Sequence, residues 1–478
     1  MEEIVVLKAK SITSVLSLFF QTGYSAFLGL LANLFLTILL SPKVFGIYIT
    51  VLSIISLLNY FSDVGLAASL IQRKDIDNDD VKTAFTIQQV LVISLVLLGF
   101  FLTNIVVQFY GLPHEGQMLY WVLLFGFLLS SLKTIPSVFL ERKIQYQKIV
   151  FVQIIENTVF YLTVIIFAFK GFGLISFAYG VLFRSIIGVI IIYSISFWMP
   201  KIGISKKSIK HLLSFGLPFQ SISLMALVKD DLVNLFLGKI IGFEGLGYIG
   251  WAKKWGEAPL RIIMDSISRV MFPLFSRLQS DKLRISKLIE KIIYYQTLIL
   301  VPTSILIFYA MPLMIKIIPR YHKWEMAVPF FYLFVFASLL SSFSTPFINL
   351  FNGLGKVKLS FLFMVFWTSL TWILILPLTF FFGFYGYPLT IFFLSFSFIF
   401  VLYKATKLIT FNIIAPVSQS LLSGIVMALM IFSVHSFIAS NEMRFIFAII
   451  LGGSTYYFSH LLFFKKNIIK EFFLFIKT

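Results

Sequence analysis

Apolar stretches long enough to cross a bilayer recur along nearly all 478 residues. A hydrocarbon core of about 30 Å takes about 20 apolar residues of helix. Lipid offers no partner for free backbone N–H and C=O groups, so each crossing must satisfy its own. Fourteen candidate spans follow: 13–40, 45–70, 83–109, 118–140, 147–169, 172–198, 212–238, 246–276, 292–318, 325–352, 358–382, 384–403, 413–438 and 443–464. The 12% charged content leaves no hydrophilic stretch able to fold as a soluble domain. The chain therefore reads as an all-α, polytopic integral membrane protein. The first span is too long for a signal-peptide apolar region and lacks a small-residue cleavage pattern, so it is expected to stay.

The net charge of +19 raises nucleic acid as a partner, and the placement of the charges removes it. With the N-terminus in the cytoplasm, alternate loops and the two tails hold 25 Lys and Arg on the inner side. The opposite side holds seven: Lys43, Lys170, Lys239, Lys316, Arg320, Lys323 and Arg444. That asymmetry is the positive-inside pattern. It puts both termini in the cytoplasm and turns the basic excess toward anionic lipid headgroups. The tail 465–478, which alternates Lys with Ile and Phe, reads as a short interfacial helix. Zero cysteines exclude disulfides and thiolate chemistry. The five histidines have no ligand spacing, so no metal and no cofactor are expected.

An internal repeat organises the spans. Asn33-Leu34-Phe35-Leu36 near the end of the first span matches Asn234-Leu235-Phe236-Leu237 near the end of the seventh, and Gly46 and Gly247 share the same offset of 201 residues. Six spans per repeat is an even number, so the two halves insert with equal orientation, and transporters built on parallel repeats bind substrate between them. The expected organisation is a six-helix bundle over 1–200, a second over 201–411, and two further helices with the interfacial tail over 412–478. Pro136, Pro218, Pro259, Pro273, Pro302, Pro346 and Pro377 interrupt the spans. Each is either a packing kink or broken backbone beside a wet cavity.

Ionisable residues inside a bilayer cost roughly 2.5–3.5 kcal/mol each at the centre, so they mark function or fold. Span eight carries Lys254, Glu257, Arg261, Asp265 and Arg269 at steps of three or four, which puts all five on one helical face. Neighbours of opposite sign can pair along that face. The stripe reads as the wall of a water-filled cavity, as a buried ion-pair ladder, or as an interfacial helix mistaken for a span. Glu156 and Arg184 lie mid-span on antiparallel neighbours, at depths that differ by roughly 6 Å, and form either a structural pair or a substrate contact. Lys133 is near enough to the cytoplasmic end to snorkel. Lys229, Asp230 and Asp231 are too deep in span seven to be incidental. Asp63 either caps a short helix or holds a cation or proton. Trp251 and Trp255 fit an interfacial aromatic belt.

No Gly-rich phosphate loop, no His-Glu-x-x-His and no Gly-x-Ser-x-Gly occurs, and the short loops leave little room for an active site outside the bilayer. Transport is the expected activity, without enzymatic chemistry. Five segments narrow it. Leu40 through Tyr48, Asn59 through Arg73, Pro136 through Lys143, Phe215-Gly216-Leu217-Pro218, and Gly247-Tyr248 through Gln279 together resemble bacterial polysaccharide and O-antigen flippases. These are the Wzx-like (RfbX/TuaB-type) members of the multidrug/oligosaccharidyl-lipid/polysaccharide (MOP) exporter superfamily. The resemblance covers the first nine helices; the last five agree only in hydropathy and number.

The resemblance implies a MATE/MOP-like architecture of two six-helix bundles around a cationic cavity, plus two C-terminal helices. It implies alternating access that carries undecaprenyl-diphosphate-linked oligosaccharide repeat units across the bacterial cytoplasmic membrane. Arg184, Lys229, Lys254, Arg261 and Arg269 are then expected to hold the diphosphate or acidic sugars, with Trp251 and Trp255 stacking on sugar rings. Asp63, Glu156, Asp230, Asp231, Glu257 and Asp265 are expected in ion coupling or ion pairs. Implied partners are the lipid-linked oligosaccharide, membrane lipids, and a polysaccharide polymerase with its chain-length regulator. The family often carries an Arg-aromatic-Arg pattern where this chain has Trp251-Ala252-Lys253-Lys254-Trp255, and lysine lacks the bidentate fork for phosphate. Rival readings are a cation-coupled multidrug exporter of the same superfamily, a peptidoglycan-precursor flippase, and a non-transporting scaffold of a glycan-assembly complex.

Overall fold

The computed structural model describes residues 2–465, and helices are its only regular elements among them. Two compact units form, Met1–Gly247 and Tyr248–Thr478. This packing division falls later than the 200/201 boundary expected from the repeat, because span seven packs on the helices of the first unit.

The first unit contains α1 (Glu2–Leu39), α2 (Pro42–Asp63), α3 (Leu66–Gln72), α4 (Asn78–Phe101), α5 (Thr103–Tyr110), α6 (His114–Leu132), α7 (Thr134–Arg142), α8 (Tyr146–Phe169), α9 (Ile175–Ile195), α10 (Lys206–Lys229) and α11 (Asp231–Ile240). α12 (Gly242–Arg277) begins there and continues into the second unit. The second unit adds α13 (Lys282–Ile317), α14 (Val328–Ser342), α15 (Ser344–Gly353), α16 (Val357–Phe382), α17 (Gly386–Ser395), α18 (Phe398–Thr406), α19 (Ile414–His435) and α20 (Asn441–Phe464).

All fourteen expected spans are helical. By length and apolarity, however, 11 helical stretches qualify to cross a membrane among the described residues. The difference has two sources. Val357–Thr406 is one qualifying stretch of 50 residues that holds two of the expected spans. Spans seven and eight, α10–α11 and α12, are absent from the qualifying set; both carry the charges already noted. The interfacial helix expected over the tail lies outside the described residues beyond Lys465.

Several spans are broken, and prolines explain two of the breaks. Pro136 and Pro346 have no N–H to give the carbonyls four residues back, Leu132 and Ser342, and these are the last residues of α6 and α14. Spans four and ten, equivalent in a repeat of six, thus share one device. Pro259, Pro273, Pro302 and Pro377 instead lie inside unbroken α12, α13 and α16. Span two breaks at Val64 and Gly65, which both take left-handed backbone angles.

Close backbone approach organises the first unit, as small residues do in lipid, where no hydrophobic force drives helices together. A Cβ on Gly46 of α2 would overlap the Phe243 carbonyl, and one on Gly247 would overlap the Pro42 carbonyl. The two glycines related by the repeat therefore cross the starts of α2 and α12 against each other. A second crossing joins Gly65 to Gly216, each occupying the space a side chain on the other would need. Arg142 gathers the carbonyls of Leu70 (2.6 Å) and Lys74 (2.9 Å), closing the C-terminal end of α3, while Arg73 pairs with Asp80 at 2.6 Å. Apart from Phe243, Lys74 and Asp80, those residues belong to the segments that carry the family resemblance. They are crossings and caps.

Candidate functional site

The first unit holds an open cavity of about 490 Å³ whose walls are mostly polar. Asn59, Gln88 and Gln220 line it with three carboxylates, Asp63, Asp230 and Asp231. The broken helices deliver these groups. Asp63 ends α2 and accepts a hydrogen bond from the Ala67 N–H (3.2 Å), so it caps α3 while it faces the cavity. Asp230 is the residue at which α10 gives way to α11. Gln220 and Tyr60 exchange bonds across α10 and α2: the Tyr60 hydroxyl donates to the Gln220 carbonyl (2.9 Å), and Gln220 Nε2 donates to the Tyr60 carbonyl (2.7 Å). Asn234, from the repeated motif, donates to Ser53 Oγ at 3.3 Å.

Beside this cavity wall lies an ion network. Glu156 of α8 is 4% exposed and accepts from Lys133 Nζ at 2.6 Å, with Arg184 Nε at 4.0 Å. The expected pair of Glu156 and Arg184 is present, and the closer partner is Lys133. Lys133 does not snorkel. It stands at the break between α6 and α7, and its ammonium turns to the carboxylate. The Arg184 guanidinium lies over the Phe160 ring (5.8 Å) with its side chain half exposed. α9 presents Gly188 to the Glu156 carboxylate, where a Cβ would overlap it. Two cations around one anion leave a net positive charge beside an open side chain. Lys229 is partly buried at the end of α10 and is not among the residues lining the acidic cavity.

In α12 the charged stripe and the packed face are distinct. Leu260, Met264, Met271 and Phe275 are buried, whereas Lys254, Arg261 and Asp265 are exposed and Glu257 is intermediate. Among the described side chains the ladder closes at one rung, Arg261 to Asp265 at 3.8 Å, with exposures of 74% and 57%. The stripe is therefore not the buried ladder that the spacing permitted. The Arg269 side chain lies outside the described residues.

One expectation is corrected. Trp251 is 3% exposed, stacks on Trp324 (5.4 Å, 11°) and donates its N–H to the Tyr321 hydroxyl (3.2 Å). It has no free face for a sugar; it is core. Trp255 is partly buried, and its indole N–H is enclosed without a hydrogen-bond partner. Lys253, not considered for the site, donates to the Tyr387 hydroxyl (3.0 Å) and lies over that ring. Sequence reading missed the Asn and Gln residues of the cavity, whose signal was polar residues recurring along otherwise apolar helices.

The family model described as "Polysaccharide biosynthesis protein" matches residues 35–329. The lipopolysaccharide biosynthesis protein WzxC of Escherichia coli (strain K12) is 24% identical over 353 residues, 72% of this chain and 70% of that protein. The teichuronic acid biosynthesis protein TuaB of Bacillus subtilis (strain 168) is 23% identical over 218 residues, 45% of each. The fold is similar to that of a lipid II flippase MurJ in an inward closed conformation, with a TM-score of 0.76 at 16% identity, covering 94% of this chain and 99% of that one. It also resembles an inward-facing multidrug resistance MATE family transporter of the MOP superfamily, with a TM-score of 0.58 at 15% identity, covering 81% and 95%. The chain thus shares its fold with these transporters and is a multi-pass membrane protein. With 295 consecutive residues matched out of 478, this chain belongs to the polysaccharide biosynthesis protein family.

Proposed function

We propose that this protein is a flippase for undecaprenyl-diphosphate-linked oligosaccharide repeat units, moving them across the bacterial cytoplasmic membrane for surface polysaccharide assembly. The observation that carries the reading is the exposed charged face of α12, with Lys254 and Arg261 held away from a fully packed opposite face. A bilayer resists the sugar and the diphosphate, whereas a polyprenyl tail is at home in lipid. A flippase therefore needs a hydrated cationic surface for the head group and little else. Lys254, Arg261, Arg269 and Arg184 are assigned to that head group, with Lys229 in support. Alternating access of two bundles is the proposed movement. A polysaccharide polymerase and its chain-length regulator are the proposed downstream partners.

Deleting the gene tests this. Lipid-linked repeat units should accumulate on the cytoplasmic leaflet and surface glycan should disappear, with drug tolerance unchanged. Intact surface glycan with lowered tolerance to cationic drugs would favour the multidrug reading. One observation supports cation coupling under either reading: Asp63, Asp230 and Asp231 share one polar cavity. Orientation is tested separately with the charge asymmetry as its basis. Cysteine at exposed Ser280 should resist impermeant thiol reagents in intact cells, and cysteine at exposed Glu115 should react. Ser208 is buried and would report nothing.

A further inference from the structure

The second unit holds a cavity with the opposite character. It measures about 560 Å³ and lies between α13, α14 and α19. Its walls are apolar: Phe308 stacks on Tyr332 (4.0 Å), and Ile431 faces them. Ser304 marks one end and Lys316 the other, twelve residues along α13, or about 18 Å of helix. That length is close to half of a ~30 Å hydrocarbon core, the depth of one leaflet.

Charge gathers at one end only. Lys316 and His435 border the cavity, and a small adjoining space adds Arg444 to His435. The Tyr309 hydroxyl bonds to His435 Nδ1 at 2.6 Å, which leaves Nε2 for another partner. Arg444 is held by the Ile438 carbonyl through Nε (2.7 Å) and by Asn441 through Nη1 (3.4 Å), with Nη2 remaining. Lys316 makes no ion pair among the described residues. These cations are unusual for their side. Only seven Lys and Arg fall on the face that the charge asymmetry puts outside, and two of them stand here. A one-leaflet apolar slot with a cationic rim matches one acyl chain under a phosphate.

We propose that this pocket binds an anionic glycerophospholipid of the outer leaflet, one acyl chain between α13, α14 and α19 and its phosphate at Lys316, His435 and Arg444. An undecaprenyl chain is several times longer than the slot, which is why the occupant is an ordinary membrane lipid and not the carrier of the transported glycan. The leaflet rests on the orientation proposed above, while the site does not.

Native mass spectrometry of the full chain in non-ionic detergent tests the site without reference to orientation or to glycan transport. The probes are phosphatidylglycerol and phosphatidylethanolamine with identical acyl chains. One phosphatidylglycerol should be retained per chain, preferred by about tenfold, which is about 1.4 kcal/mol. Lys316→Gln should remove most of that preference and Lys316→Arg should keep it. Ala428→Trp, which fills the slot from α19, should abolish retention of both lipids; because Lys316 is exposed, its variants report even if the tryptophan variant fails to fold. Equal retention of the two lipids by the unaltered protein, or a preference that survives Lys316→Gln, overturns the proposal. Displacement of phosphatidylglycerol by equimolar undecaprenyl phosphate also overturns it, by giving the pocket to the carrier.

Discussion

Glu156 and Arg261 both interrupt long apolar sequence, and they end in opposite surroundings. Glu156 is enclosed, bonded to Lys133 at 2.6 Å, with Arg184 on its other side. Arg261 stands exposed on α12 with one loose partner at 3.8 Å. A buried charge must be compensated or the fold does not form, because removing one partner strands the other in low dielectric. An exposed pair contributes little to stability and stays available to a ligand. The same residue types thus serve the fold of the first unit and the candidate substrate surface of the second. Arg184 lies between the two cases, half exposed yet beside the buried carboxylate.

The sharpest way to break this contrast is to remove the enclosed anion. Glu156→Ala leaves the Lys133 ammonium without its carboxylate and should destabilise the protein by about 3–5 kcal/mol. Thermal unfolding in detergent and the amount of protein in the membrane should both fall steeply. The double variant Lys133→Met with Glu156→Leu removes both charges and should recover most of the loss. If Glu156→Ala unfolds like the unaltered protein while export fails, the network is functional and the contrast is wrong.

A smaller effect is expected at the glycine crossing of α2 and the start of α12. Gly46→Ala sets a methyl group against the Phe243 backbone carbonyl, which cannot turn aside as a side chain can. Overpacking of this kind costs about 1–3 kcal/mol. Gly453→Ala is the control, since nothing lies within reach of a Cβ there. Equal unfolding temperatures for the two variants would mean that the helices at Gly46 have room to part.

Which of these features could be read from sequence follows from their range. The helices were legible, because membrane-length apolar runs are local. So was the family, through segments whose physical role became visible only in three dimensions: Gly65 and Gly216 are about 150 residues apart, and their contact is backbone against backbone. The stripe on α12 was legible because 3.6-residue periodicity fixes a face. What covers a face is not periodic. Trp251 looked like a sugar platform, and Trp324, more than 70 residues later, takes its surface. Lys133 looked like a snorkelling residue because depth was counted along one helix, whereas its partner belongs to another. The three acids of the first cavity come from α2 and from the junction of α10 with α11, and nothing in their spacing announces that they meet.

The smallest stability change and the most telling one belong to Arg261. Its guanidinium is mostly exposed and its pairing to Asp265 is loose, so Arg261→Ala should shift stability by under about 1 kcal/mol and leave the amount of membrane protein unchanged. Transport should nevertheless fall, because a diphosphate within about 4 Å of a cation gains roughly 4 kcal/mol per charge pair at an effective dielectric of 20. Lys254→Glu with Arg261→Glu turns that attraction into repulsion and should suppress export well below Arg261→Ala, again with little change in unfolding temperature. Alanine at Trp251 should behave in reverse, lowering stability through the lost stack on Trp324 before it touches transport. Should Arg261→Ala instead prevent accumulation, the exposed stripe would be a folding element like the Glu156 network, and the head-group surface would have to be sought among the cations of the first unit, starting with Arg184.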